Sequence, residues 1–137
     1  MKKEIIRTDK APISKFPISQ GTIFGRLIFT AGMTPRDPQS GQMVDGNMHE
    51  VARVVFSNIK AIVEAGGSSM KNVLQLTCYL RDFDEDFAAW NEVYQEFFAE
   101  PWPARTVIPA PLGKGFRLEI DAVACIPDEE IPAQRTA

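Results

Sequence analysis

Pro103-Ala104-Arg105-Thr106-Val107-Ile108-Pro109-Ala110 and Phe116-Arg117-Leu118-Glu119-Ile120-Asp121-Ala122-Val123-Ala124-Cys125-Ile126 both alternate with the period of two that sends successive side chains to opposite faces of a β-sheet. In the second segment Phe116, Leu118, Ile120, Ala122, Ala124 and Ile126 share one face. Arg117, Glu119 and Asp121 share the other, which turns apolar at Val123 and Cys125. In the first, Thr106, Ile108 and Ala110 oppose Arg105, Val107 and Pro109. If the greasier faces meet in one core, Arg105 and Glu119 emerge together on the reverse. One is then able to grip a carboxylate and the other to hold a water, which makes the pair the candidate active site.

Working outward, Val73–Leu80 reads as a third strand, with Leu74, Leu76, Cys78 and Leu80 on its greasier side. Asn47-Met48-His49-Glu50 has the form of a helix N-cap, and Val51, Val54, Val55, Ile59, Ile62 and Val63 follow as one stripe up to a left-handed stop at Gly66-Gly67. A second helix, capped by Asp84 or Asp86, carries the stripe Phe87, Trp90, Tyr94, Phe97 and Phe98, and prolines 101 and 103 end it. That aromatic stripe reads as core. A hairpin joins residues 17–23 to 26–33 across Phe24-Gly25, and residues 34–46, rich in turn formers, read as a loop.

The order β-β-α-β-α-β-β predicts a single α+β domain over residues 1–137, with an N-terminal arm or edge strand at 1–10 and a C-terminal tail at 127–137. Two helices cover one face of a five- or six-stranded sheet. The other face would present Val73, Tyr79, Val107, Val123 and Cys125 beside Gln75, Thr77 and the Arg105/Glu119 pair, so it predicts a symmetric oligomer with polar pockets at its seams.

Composition narrows the function. With 137 residues, 45% of them hydrophobic, and a net charge of -3, the chain offers no broad attraction to phosphate backbones, so nucleic acid is not the expected partner. The first residues lack the apolar run of a signal peptide, and no stretch is long and apolar enough for a membrane span. The expected setting is cytoplasmic, without a membrane partner. Cys78 and Cys125 read as small hydrophobes in strands, and the single histidine, His49, is expected to be exposed and inert; no metal site is predicted. Gly66-Gly67-Ser68-Ser69 lacks the lysine-serine pair of a phosphate loop.

Several motifs in one order resemble the Rid family (reactive intermediate or imine deaminases, the YjgF type, formerly labelled L-PSP endoribonucleases or translation inhibitors). They are Phe29-Thr30-Ala31-Gly32-Met33-Thr34-Pro35 with Asp37-Pro38 and Gly41, Asn58–Ser68, Asp86–Tyr94, Pro103-Ala104-Arg105-Thr106 and Leu118–Ala124. The resemblance implies a chorismate-mutase-like fold, a homotrimer with a central barrel and ligand clefts between subunits. It also implies cofactor-free hydrolysis of enamines and imines such as 2-aminoacrylate to 2-keto acids and ammonia. By the same resemblance Arg105 takes the substrate carboxylate, Glu119 orders the attacking water, and Gly32 and Asn91 are pocket positions. Two positions depart from the pattern: Ile18 stands where many deaminases have Tyr, and Val107 where they have Cys. These changes imply a more apolar pocket and leave a second reading, a trimeric sensor of 2-keto acids or similar small carboxylates without turnover. The ribonuclease label finds no histidine pair or basic groove to support it.

Overall fold

A computed structural model of the chain describes residues 1–128. Most of the expected tail, residues 129–137, lies outside the described residues. Eight elements follow in order: β1 (Glu4–Ile6), β2 (Gly21–Phe24), β3 (Leu27–Thr30), α1 (Met48–Ala65), β4 (Val73–Leu80), α2 (Phe83–Phe97), β5 (Ala104–Pro109) and β6 (Leu118–Cys125). The strands form one six-stranded sheet in the order β1-β2-β3-β6-β4-β5. Every neighbouring pair is antiparallel except β4 and β5, which run parallel and are joined through α2. The two helices lie on one face, giving the expected α+β fold. No described helix is long and apolar enough to cross a membrane.

The first helix forms as its ends dictate. The Asn47 side chain accepts a hydrogen bond from the Glu50 amide. At the other end Gly67, at φ +92°, takes the left-handed step, and Gly67 and Ser68 donate to the carbonyls of Glu64 and Val63. The left-handed residue is thus the second of the two glycines. Val51, Val55, Ile59, Ile62 and Val63 are buried against the sheet. Phe56 packs toward α2, stacking on Phe97 with ring centroids 5.2 Å apart. His49 is neither fully exposed nor inert: its Nε2 lies 2.7 Å from Glu92 Oε2, tying α1 to α2 beside the Arg53–Glu96 pair.

Three expectations need correction. The N-cap position of α2 is Asp82, whose side chain makes no cap bond; Asp84, Glu85 and Asp86 instead sit in the first turn, where negative charge suits the helix dipole. Asp86 is drawn inward to Arg117, which also donates to the Gly46 carbonyl. The hairpin strand begins at Gly21, not at Pro17, and the Gln20 carboxamide just before it holds the N-terminal arm. It accepts from the Thr8 amide and donates to the carbonyls of Thr8, Ala11 and Pro12. In β4 a bulge between Val73 and Gln75 reverses the side-chain parity. Val73 is therefore buried, while Leu74, expected inside, is 46% exposed.

The face without helices carries Ile5, Phe24, Leu27, Phe29, Tyr79, Ile108, Val123 and Cys125, with Gln75, Thr77, Glu119 and Asp121 among them. Phe24 and Phe29 remain 53% and 43% exposed. Val73 and Val107 were expected on this face, but both belong to the helix side.

Candidate active site

Arg105 lies near the start of the edge strand β5. It pairs in register with Leu76, which is fully buried, so its side chain leaves the sheet on the helix side. There α2 presents Phe87, Trp90, Asn91 and Tyr94, residues that helical spacing brings to one face. The guanidinium carbon stands 4.5 Å from the Tyr94 ring centre, 5.1 Å from that of Trp90 and 5.9 Å from that of Phe87. Arg105 Nη1 donates to Asn91 Oδ1 at 2.7 Å. The stripe read as core is thus core on one side and a bed for the arginine on the other.

Among the described residues no carboxylate forms an ion pair with Arg105. This excludes a structural pairing with Glu119 or Asp121 within one chain. The guanidinium is held in place by rings and one amide, none of which neutralises its charge. It opens into a cleft of about 280 Å³ lined by Asn91, Tyr94, Gln95, Trp102, Pro103 and Arg105. Burial pushes the Cys78 thiol beneath it up to about 12, so Cys78 is a packed thiol and not a nucleophile. Val107 lies on the same face as Arg105 but packs against the core instead of lining this cleft.

A second cluster forms on the other side of the sheet. Glu119 pairs with Tyr79, and a β-carbon added at Gly32 would stand 2.9 Å from Glu119 Cδ. Glycine at 32 therefore lets the carboxyl lie against the backbone, and reciprocal hydrogen bonds between Met33 and Ile120 fix the approach. Burial raises the Glu119 pKa, and the neighbouring Asp121 raises it further; burial also raises that of Asp121. Neither acid has an ion-pair partner among the described residues. Ile18, 60% exposed, lines a hollow of about 250 Å³ with Phe16, Gln20, Ala31 and Met33, beside Gly32. Among the described residues no group of three or more His, Cys, Asp or Glu is placed to hold a metal ion.

The six predicted site residues therefore fall into two sets. Arg105 and Asn91 meet, with Val107 behind them; Glu119 and Gly32 meet, with Ile18 nearby. Within one chain Arg105 and Glu119 do not converge, contrary to expectation, because Arg105 aligns with Leu76 and Ala122 while Glu119 aligns with Tyr79 and Ile108 on the opposite face. The error came from β5, whose two faces are about equally apolar: Ile108 points away from the helices and Val107 toward them. Trp102 went unnoticed, and so did the rings as a support for Arg105. The spacing of Phe87, Asn91 and Tyr94 was the available signal.

The acids give a pH test. Because both causes acting on Glu119 favour its protonated form, a reaction needing its carboxylate loses rate below a pH above the ordinary Glu range. Asp121→Asn removes the like charge, so the acidic limb of kcat/KM is expected to move to lower pH, read from rate profiles of parent and variant. A limb that stays in place or moves up would contradict the assignment of Glu119.

Fold and site together define a two-layer α+β protein whose cleft, lined by rings, holds a guanidinium with no ion-pair partner among the described residues. The family described as endoribonuclease L-PSP matches residues 8–126, and the chain belongs to it, the Rid family of the motifs above. A RutC family protein of Pyrococcus abyssi is 44% identical over 125 residues, covering 90% of this chain and 98% of that protein. The 2-iminobutanoate/2-iminopropanoate deaminase of Capra hircus is 41% identical over 123 residues, covering 89% of each. The crystal structure of E. coli TdcF with bound serine superposes with a TM-score of 0.82 at 38% identity, covering 89% of this chain and 98% of that one.

Proposed function

We propose that the protein is an imine deaminase, hydrolysing the imines of small 2-amino acids to 2-keto acids and ammonia at sites shared between copies of the chain. The observation that carries the reading is Arg105, preorganised on three rings and one amide with no carboxylate paired to it among the described residues. The relatives named as deaminases of 2-iminobutanoate and 2-iminopropanoate support the same substrate class.

A 2-imino acid presents a planar carboxylate, which two parallel N–H donors of a guanidinium match. Anchored there, its C2 is already electrophilic, so the protein's task is to position water more than to supply a strong base. Glu119 takes a proton from water as the oxygen bonds to C2 and the C=N electrons move to nitrogen. The C–N bond then breaks, C=O forms, and the water's two protons leave on ammonia. No redox change occurs, and the reading calls on no cofactor.

Since Arg105 and Glu119 lie on opposite faces, the reading requires Glu119 of a second copy to approach the Arg105 cleft. The uncovered apolar face supplies a reason to associate, and a homotrimer is the assembly we propose. The reading places the protein in the cytosol, beside enzymes that release such intermediates. Freshly generated 2-aminoacrylate, on collapsing to its imine, is expected to release ammonia and pyruvate severalfold faster with catalytic amounts of protein than in buffer. Unchanged release would reject deamination, and keto-acid binding without turnover would favour the sensor reading.

A further inference from the structure

The Arg105 cleft has one wall that the reaction itself does not need. Trp102 stands between the end of α2 and the start of β5, stacked on Tyr94 with ring centroids 6.0 Å apart and planes 25° from parallel. Tyr94 is the ring that also lies closest to the Arg105 guanidinium. The indole and the guanidinium thus share one aromatic support, and both line the cleft. Trp102 is nevertheless 49% exposed, whereas Trp90, on the α2 stripe, is fully buried. One side of the indole rests on Tyr94 while much of the ring remains open.

The rest of the lining sharpens the point. Apart from Arg105, the described residues of the same chain that line it are Asn91, Tyr94, Gln95, Trp102 and Pro103, none of them an acid or a second cation, so the chain's own wall offers nothing to pair with a charged side chain. Asn91 is committed to Arg105 through its Oδ1. A substrate whose carboxylate lies on the guanidinium therefore finds the apolar surfaces of an indole and a proline in the remaining space. A flat apolar group stacked there would cover exposed ring surface, and aromatic pairs gain beyond the area they bury.

Building on the deaminase reading, we infer that Trp102 is a specificity-determining residue that gives the Arg105 cleft a preference for 2-imino acids and 2-keto acids with an aromatic side chain. Chain placement suits the role. Trp102 lies between Pro101 and Pro103, outside every helix and strand, so its ring can select among substrates without carrying the fold.

The test compares imines generated from L-phenylalanine and from L-alanine, with Trp102→Ala and Trp102→Phe variants. Trp102→Ala is expected to lower kcat/KM for the phenylalanine-derived imine about 10-fold more than for the alanine-derived one, chiefly through KM, while Trp102→Phe keeps most of the difference. In parallel, calorimetry is expected to show phenylpyruvate binding the parent about 10-fold more tightly than pyruvate, a gap that closes in Trp102→Ala. Equal loss for both imines, or equal affinity of the parent for both keto acids, overturns the inference. If the parent turns over neither imine, the deaminase reading fails by itself, and the two keto acids alone decide whether Trp102 selects for rings.

Discussion

Arg105→Ala is expected to lower kcat/KM for imine hydrolysis by roughly 10³-fold, since two charge-assisted hydrogen bonds to a carboxylate, worth about 1.5–3 kcal/mol each, are lost together. The loss should appear in both KM and kcat, because the grip that binds the substrate also aims C2 at the water. The ring bed makes Arg105→Lys informative. An ammonium can neither lie flat over Tyr94 and Trp90 nor donate two parallel bonds, so lysine is expected to recover only a small part of the rate. Trp90 and Tyr94 are buried in the core and β5 keeps its backbone pairing with β4, so the variants should keep the parent's far-ultraviolet circular dichroism. An alanine variant within about threefold of the parent would remove Arg105 from the reaction.

The second large effect is a gain. Arg105→Ala and Glu119→Ala, each nearly inactive alone, are expected to recover activity when unfolded together and refolded as a mixture. A site that draws its arginine from one copy and its acid from the next is intact whenever the copies meet in the right order. Random assembly at equal proportions makes about a quarter of the sites whole. Inactivity of the mixture despite verified co-assembly would mean that both groups must come from one chain. The sheet register opposes that outcome, since Arg105 and Glu119 leave opposite faces.

Much of the frame was legible because its signals are local. Asn47 before an apolar stripe and the paired glycines after it placed α1 nearly to the residue. The 118–125 alternation placed β6 and sorted its two faces correctly. What failed depends on information that no short window contains. One extra residue in β4 turned Leu74 outward and Val73 inward, and a bulge leaves no mark in a run of similar apolar residues. In β5, Val107 and Ile108 are equally suited to a core, so only the helix packed above it decides which way Arg105 faces. The motifs named Arg105, Glu119, Gly32 and Asn91; the coordinates sort them into two clusters on opposite sides of one sheet, which the proposed reaction joins as two half-sites. Trp102, outside the alternating and helical patterns, was invisible to both kinds of periodicity.

The two half-sites also differ in how far apart their parts lie along the chain. The rings, Asn91, Trp102 and Arg105 all belong to residues 83–105, one helix and the strand it leads into, whereas Ile18, Gly32 and Glu119 meet only when distant strands are laid side by side. The portion we propose to hold the anion is accordingly a contiguous cassette whose shape is written locally, open to reshaping by exchange of a single stretch. The portion we propose to hold the water belongs to the sheet as a whole and changes only with it.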